Sequence, residues 1–206
     1  MSDISASPEN KREQTLAKRR RLILDAALDC FVENGFHQTG VRDIAKRAGV
    51  SLGNVYNHFP GKHDVLVEIA ALEKSELEPY LKEIGPTEPN RDGLEQIIKG
   101  YFDYVSEPSA AVLALEITSE AFRKPDIAAL FVRNRRMLLD ALSDYLDRGA
   151  KAGCFRTVSS PKADAQLLVD LIEGAGYRSV LENEIAGDVI GEVTRFAFAA
   201  LVVEKH

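Results

Sequence analysis

Five residues near the amino end carry the chemistry most open to interpretation: Gly53, Asn54, Tyr56, Asn57 and His58. Between them run Leu52, Val55 and Phe59 at i, i+3, i+7 spacing, the mark of a short amphipathic helix. If those three face inward, the five small and polar residues face out. Asparagine can pair bidentately with the N6 and N7 of adenine, worth about 1–3 kcal/mol of discrimination. Tyr56 and His58 bring donors that reach phosphate oxygens. Gly53 has no side chain, so its backbone can come close to a partner. This is the equipment of a helix that lies in the major groove of DNA.

Such a helix needs a frame. Asn34-Gly35 closes a preceding helix that contains Ile23, Ala27, Cys30 and Phe31 at helical spacing. Thr39 reads as the N-cap of a second helix over 41–48, and Gly49 as the left-handed cap that stops it. Ser51 caps the third helix, over 52–58, and Pro60-Gly61 breaks it. Phe31, Phe36, Ile44 and Val50 are the expected floor beneath Leu52, Val55 and Phe59. Thr39 and Arg42 at the start of the second helix and Lys62 at the start of a fourth complete the expected contacts to phosphate, and Ser51 joins the expected DNA-binding residues. Lys18 to Arg21 form a basic run that could also touch a flanking phosphate.

The whole chain is acidic, with a formal net charge of −6 over 206 residues. The charge is unevenly spread: residues 1–62 hold ten Lys/Arg against seven Asp/Glu, and residues 63–206 hold sixteen against twenty-five. That excludes general polyanion binding but leaves room for one local basic patch. The longest apolar run, Phe196 to Val203, is eight residues, against the roughly 20 needed to cross a bilayer. The first residues lack the apolar core of a secretory leader. A cytoplasmic protein without membrane contact is the expectation. Cys30 and Cys154, both inside apolar periodicity, are expected as buried thiols in a reducing compartment.

Beyond the head, GPTEPNR at 85–91 is the clearest loop. Periodic segments follow over 92–106, 110–123, 126–152, 162–184 and 188–204, and a long helix over 62–83 precedes them. Strand-length alternation is nearly absent. The reading is an all-α chain of about nine helices. Its expected domains are a flexible tail over 1–16, a helix-turn-helix head over 17–62, and a helical body over 63–206.

The stretch VRDIAKRAGVSLGNVYNHFPGKHDVL resembles the head of the TetR family of bacterial transcriptional regulators. The matching residues are Thr39, Asp43, Ile44 and Ala45, then Ala48 to Ser51 in the turn, Tyr56-x-His58-Phe59, and Lys62. The match covers residues 20–70, about a third of the chain, and LEITSEAFRKPDIAALF at 115–131 extends it mildly. The resemblance implies a homodimer that binds an operator through two heads and is released by a small-molecule effector bound in the body.

In the body, Leu168, Leu171, Ile172 and Ala175 with Leu167 form one apolar stripe. Val193, Phe196, Ala197 and Ala200 with Val189 and Leu201 form another, and the last helix is apolar on nearly all sides, which calls for two buried faces. These are the candidate dimer contacts, with Gly174 and Gly176 allowing close approach; the competing reading is that they face the subunit's own core. Candidate effector contacts are Tyr101, Phe102, Tyr104, Glu116, Phe122, Tyr177 and Arg178. A buried charge must be paired or serve a ligand, but with both a carboxylate and a guanidinium present the ligand's charge stays open. No metal or cofactor is expected: His58 and His63 lack a completing ligand set, and no Glu-x-x-His pair, phosphate loop or nucleophile elbow suggests an enzyme. An activator or ligand-blind repressor of the same fold, or a protein–protein adaptor, remain the alternatives.

Overall fold

The computed structural model describes residues 8–183 and 185–203. Among them lie nine helices: α1 Pro8–Asn34, α2 Val41–Arg47, α3 Leu52–His58, α4 Lys62–Ile84, α5 Arg91–Val105, α6 Pro108–Ala121, α7 Pro125–Lys151, α8 Pro161–Glu182 and α9 Ala186–Leu201. No strand forms among the described residues, only an isolated antiparallel bridge between Phe155 and Val202. The chain divides into two compact units between Ala71 and Leu72, inside α4.

In the first unit, Ile23, Ala27, Phe31, Ile44, Val55, Phe59, Val65 and Leu66 are buried. Phe31 and Phe36 meet edge to face with centroids 5.1 Å apart. Leu52 and Val50 are only half-buried, so Val55 and Phe59 anchor α3. Gly49 holds φ at +64°. The Val50 N–H donates back to the Ala45 carbonyl at 3.0 Å, the bond that closes the last turn of α2.

Two expectations need correction. The chain is helical from Pro8, where a tail to residue 16 was expected; residues 1–7 lie outside the described residues. Residues 9–22 show no apolar stripe, but Glu, Lys, Arg, Gln, Leu and Ala are strong helix formers. Once the packed half of α1 exists, extending it costs no new nucleus. The N-cap of α2 is Gly40, not Thr39. The Asp43 carboxylate accepts the Gly40 N–H at 2.8 Å and does the capping from inside the helix.

The second unit has one core, built from Leu94, Ile98, Phe102, Leu138, Leu142, Tyr145, Ala165, Val169, Ile172, Val193 and Ala197 among others. Asn90, Glu107 and Ser160 cap α5, α6 and α8 through side-chain oxygens. Proline opens α6, α7 and α8, where its missing N–H is not needed. Gly176 sits where an added Cβ would stand 2.7 Å from Val105 Cγ2, so α8 and the end of α5 are in backbone-close contact. The thiols differ from expectation in one case: Cys30 is buried, whereas Cys154 is only half-buried, and both are free. Burial pushes the Cys30 thiol above its ordinary pKa.

Candidate functional site

The outward face of α3 is as its periodicity implies. Ser51 caps it, its Oγ accepting the Asn54 N–H at 3.2 Å. Gly53, Tyr56 and Asn57 are exposed, and Asn54 and His58 half-buried. The Asn54 Oδ1 is shielded from solvent and receives no donor. An unmet buried acceptor costs about 1–3 kcal/mol, so the Asn54 amide gains when its side chain rotates outward to meet a donor.

Gly53 is informative for what it does not do. An added Cβ there would meet nothing within 4 Å. Glycine costs a helix about 0.8–1.0 kcal/mol relative to alanine. Gly53 thus leaves the backbone of the first turn of α3 open on its outer side.

The basic residues divide into two sets. Arg20 donates to the His58 carbonyl at 2.9 Å and to Glu68 at 2.6 Å, and its guanidinium lies 4.5 Å over the Phe59 ring. Arg47 pairs with Asp29 and Glu33. These two hold the head together. Lys62, expected on phosphate, sends its ammonium to the carbonyls of Phe36 at 2.7 Å and His37 at 3.4 Å. Thr39 is corrected as a side-chain contact: it is 2% exposed, and its hydroxyl lies 3.0 Å from the Cys30 carbonyl and 2.9 Å from that of Gly35. Burying a hydroxyl requires such acceptors. Arg42, and also Lys18, Arg19 and Lys46, are exposed with no ion pair among the described residues. Lys46, on the second turn of α2, escaped the sequence reading because only its lack of a partner sets it apart.

The body holds a second concentration of polar groups. The Tyr101 hydroxyl donates to Glu173 Oε1 at 2.6 Å, and Arg135 pairs with the same oxygen and with Asp170 at 2.6 Å. Asn134, itself buried, donates to Glu73 at 2.7 Å. Tyr80 stacks on Tyr101 and Tyr101 on Tyr104, each with centroids 6.3 Å apart. Burial lifts the Glu73 carboxyl above the glutamate range, with Asn134 opposing and Glu76 and Glu173 adding. Burial likewise raises Tyr101 and Tyr104, and Tyr177, which also feels Glu173, is pushed up to about 12.

Three sequence candidates, Tyr101, Tyr104 and Tyr177, therefore gather around Glu73 and Glu173. The others do not join them. Phe102 is wholly in the core. Phe122, just past the end of α6, is 88% exposed. Arg178 is tied at the surface to Glu182 and Glu192, and Glu116 is half-buried on α6. Glu73, Asn134, Arg135 and Glu173 were missed. Asn134 was findable, because it interrupts the Ile127, Leu138, Leu142 stripe at a core position.

The dimer candidates split as well. Leu168, Ile172, Val193 and Ala197 are buried in the subunit's own core and are corrected as interface residues. One face of each helix is consumed by the intrachain core, and these lie on it. Leu167 and Phe196 are exposed, and Leu171, Ala175 and Ala200 half-buried. Leu171, Gly174, Ala175, Val193 and Phe196, with Asp170, Arg178 and Glu192, line a groove of about 400 Å³ between α8 and α9.

A family model described as "Bacterial regulatory proteins, tetR family" matches residues 23–69, and one described as "BetI-type transcriptional repressor, C-terminal" matches residues 89–203. The transcriptional activator FasR of Mycolicibacterium smegmatis is 27% identical over 161 residues, 72% of this chain and 73% of its own. The transcriptional repressor AcnR of Corynebacterium diphtheriae is 26% identical over 141 residues, 68% of this chain and 70% of its own. A transcriptional regulator of Saccharomonospora viridis, solved in complex with choline, superposes with a TM-score of 0.79 at 22% identity, covering 91% of this chain and all of its own.

Proposed function

The chain belongs to the TetR family of bacterial regulatory proteins and is a DNA-binding transcriptional regulator, and on that premise we propose that it acts as a homodimeric repressor released by a small organic cation. The observation that carries the DNA-reading part is the outward face of α3. Gly53 admits close backbone approach, Asn54 and Asn57 supply base-edge chemistry, and Tyr56, His58, Ser51 and Arg42 supply donors for phosphate. In this reading Lys62 acts through the fold of the head, by its bond to Phe36.

The dimer forms through the exposed strip of α8 and α9. Gly174 supports this, since a Cβ there would meet nothing within 4 Å of its own chain. A bare backbone beside Ala175, Leu171 and Phe196 suits a second helix pressed against it. Two copies then present two α3 helices to half-sites about one helical turn, roughly 34–36 Å, apart or a multiple of that.

The effector reading rests on Glu73, Glu173 and the tyrosines. Glu173 is already balanced by Arg135, whereas the half-buried Glu73 meets a neutral amide. A cation beside Glu73, over the face of Tyr104 or Tyr177, satisfies both the carboxylate and the ring quadrupoles. The choline bound to the S. viridis regulator favours the same chemistry, and the repressor named in the description of the family model that matches the body favours the repressor direction. Release requires that the ligand bind the non-operator state more tightly than the operator state. α4 carries both Lys62 and Glu73, so a ligand that moves Glu73 acts on the helix that opens beside the recognition element.

The test is a fluorescence-anisotropy titration of a duplex selected from random DNA, with and without choline. Release of the duplex by choline, but not by acetate, and a choline-insensitive Glu73→Gln variant are expected. Full operator affinity at saturating choline would overturn the proposed response, and tighter binding with choline would reverse its direction.

A further inference from the structure

We propose that the C-terminal end of α9 carries a second ligand site, built for an organic anion with a carboxylate or phosphate head and a short apolar tail. A groove of about 690 Å³ is lined there by Arg91, Arg156, Arg195, Phe198, Ala199, Val202 and Val203. Three guanidinium groups and, among the described residues, no carboxylate line it, although residues 63–206 hold sixteen Lys/Arg against twenty-five Asp/Glu. Three like charges collected at one place repel one another unless a counter-charge joins them.

Each arginine has a defined local state. Arg91 is the first residue of α5, and its guanidinium lies 4.5 Å over the Phe198 ring. The positive end of the α5 macrodipole adds to its pull on an anion. Arg156 donates through Nε to the Ala200 carbonyl at 2.7 Å and also to that of Ala199, which caps the end of α9. That accounts for part of its five-donor fork and leaves the rest open. Arg195 is exposed and has no ion pair among the described residues. Capping explains Arg156 alone; it does not explain why Arg91 and Arg195 gather beside it. The remaining wall is apolar: Val202 is buried, Phe198 half-buried, and Val203 and Ala199 exposed. Guanidinium forks match carboxylate and phosphate oxygens in pairs, and the Val202–Val203 wall matches a hydrocarbon tail. The site prefers the opposite charge from the Glu73 cluster, so it stands or falls apart from that reading.

The test is calorimetric titration of the full chain at low salt with octanoate and with octyl phosphate. Saturable binding of at least one of them, one per chain, is expected, weakened at least tenfold by Arg195→Gln and by Arg91→Gln while circular dichroism stays unchanged. The tighter of the two probes identifies the head group. Octyltrimethylammonium should not compete. Absence of saturable binding by both probes would overturn the proposal. So would equal binding by wild type and both variants, which would place the anion elsewhere. Inorganic phosphate binding as tightly as octyl phosphate would overturn the apolar half of the assignment.

Discussion

The ammonium of Lys62 lies 2.7 Å from the carbonyl oxygen of Phe36 and 4.5 Å from the centre of the Phe36 ring. A lysine at the mouth of a DNA-reading head thus ties the start of α4 to the turn after α1. Hydrogen bonds from charged donors contribute about 1.5–3 kcal/mol. Lys62→Ala should therefore lower the unfolding midpoint of the head and weaken DNA binding, while the slope of log affinity against log salt stays as in wild type. A slope that drops by about 0.9, the loss of one phosphate contact, would return Lys62 to the phosphate list.

What was legible at this end of the chain was local. Gly49, Ser51 and the Val55–Phe59 register declare themselves within a few residues, and the structure places them as read. What was not legible depends on partners far along the chain. Thr39 and Gly40 are both acceptable N-caps, and the choice falls to Gly40 because the Cys30 carbonyl, nine residues earlier, takes the Thr39 hydroxyl. The roles of Arg20 and Lys62 are set by Glu68, His58 and Phe36, which no spacing rule connects to them.

Glu73 supplies a pH signature. Burial raises its carboxyl pKa in the folded chain, so the folded state holds its proton at pH values where the unfolded state has released it. Stability from this group is therefore greatest below the unfolded value of about 4.3 and falls as pH rises through the folded value, with the full penalty above it. Glu73→Gln should be more resistant to urea than wild type at neutral pH, with the gap closing in acid. Denaturation midpoints measured across that range check it, and a gap that does not change with pH would contradict the burial of this charge.

The two faces of α8 and α9 separate by mutation. Leu168 is buried in the subunit core, so Leu168→Ala should cost about 2–5 kcal/mol of stability. Phe196 is 67% exposed, so Phe196→Glu should leave circular dichroism intact and shift sedimentation from dimer to monomer. A dimer unaffected by Phe196→Glu and by Leu171→Arg would remove this strip from the interface. The stripes were visible in the sequence as apolar, but not which side met which neighbour. That was decided by packing such as Gly176 against Val105, a contact across two helices.

The body's polar cluster was half legible for the same reason. Tyrosines on one helix show their clustering in the sequence, whereas Glu73, Arg135 and Glu173 look like ordinary solvated residues until three helices bring them together.

The central claim is that α3 turns its bare backbone and amides toward DNA, and Gly53→Leu tests it most directly. A Cβ at this position meets nothing within 4 Å of the folded chain, and leaving glycine lowers the backbone entropy lost on folding. Thermal unfolding and anisotropy titration on a selected duplex should then diverge: an unfolding midpoint unchanged or higher, with affinity for the duplex lost. Wild-type affinity in the Gly53→Leu protein would contradict the placement of this helix against DNA.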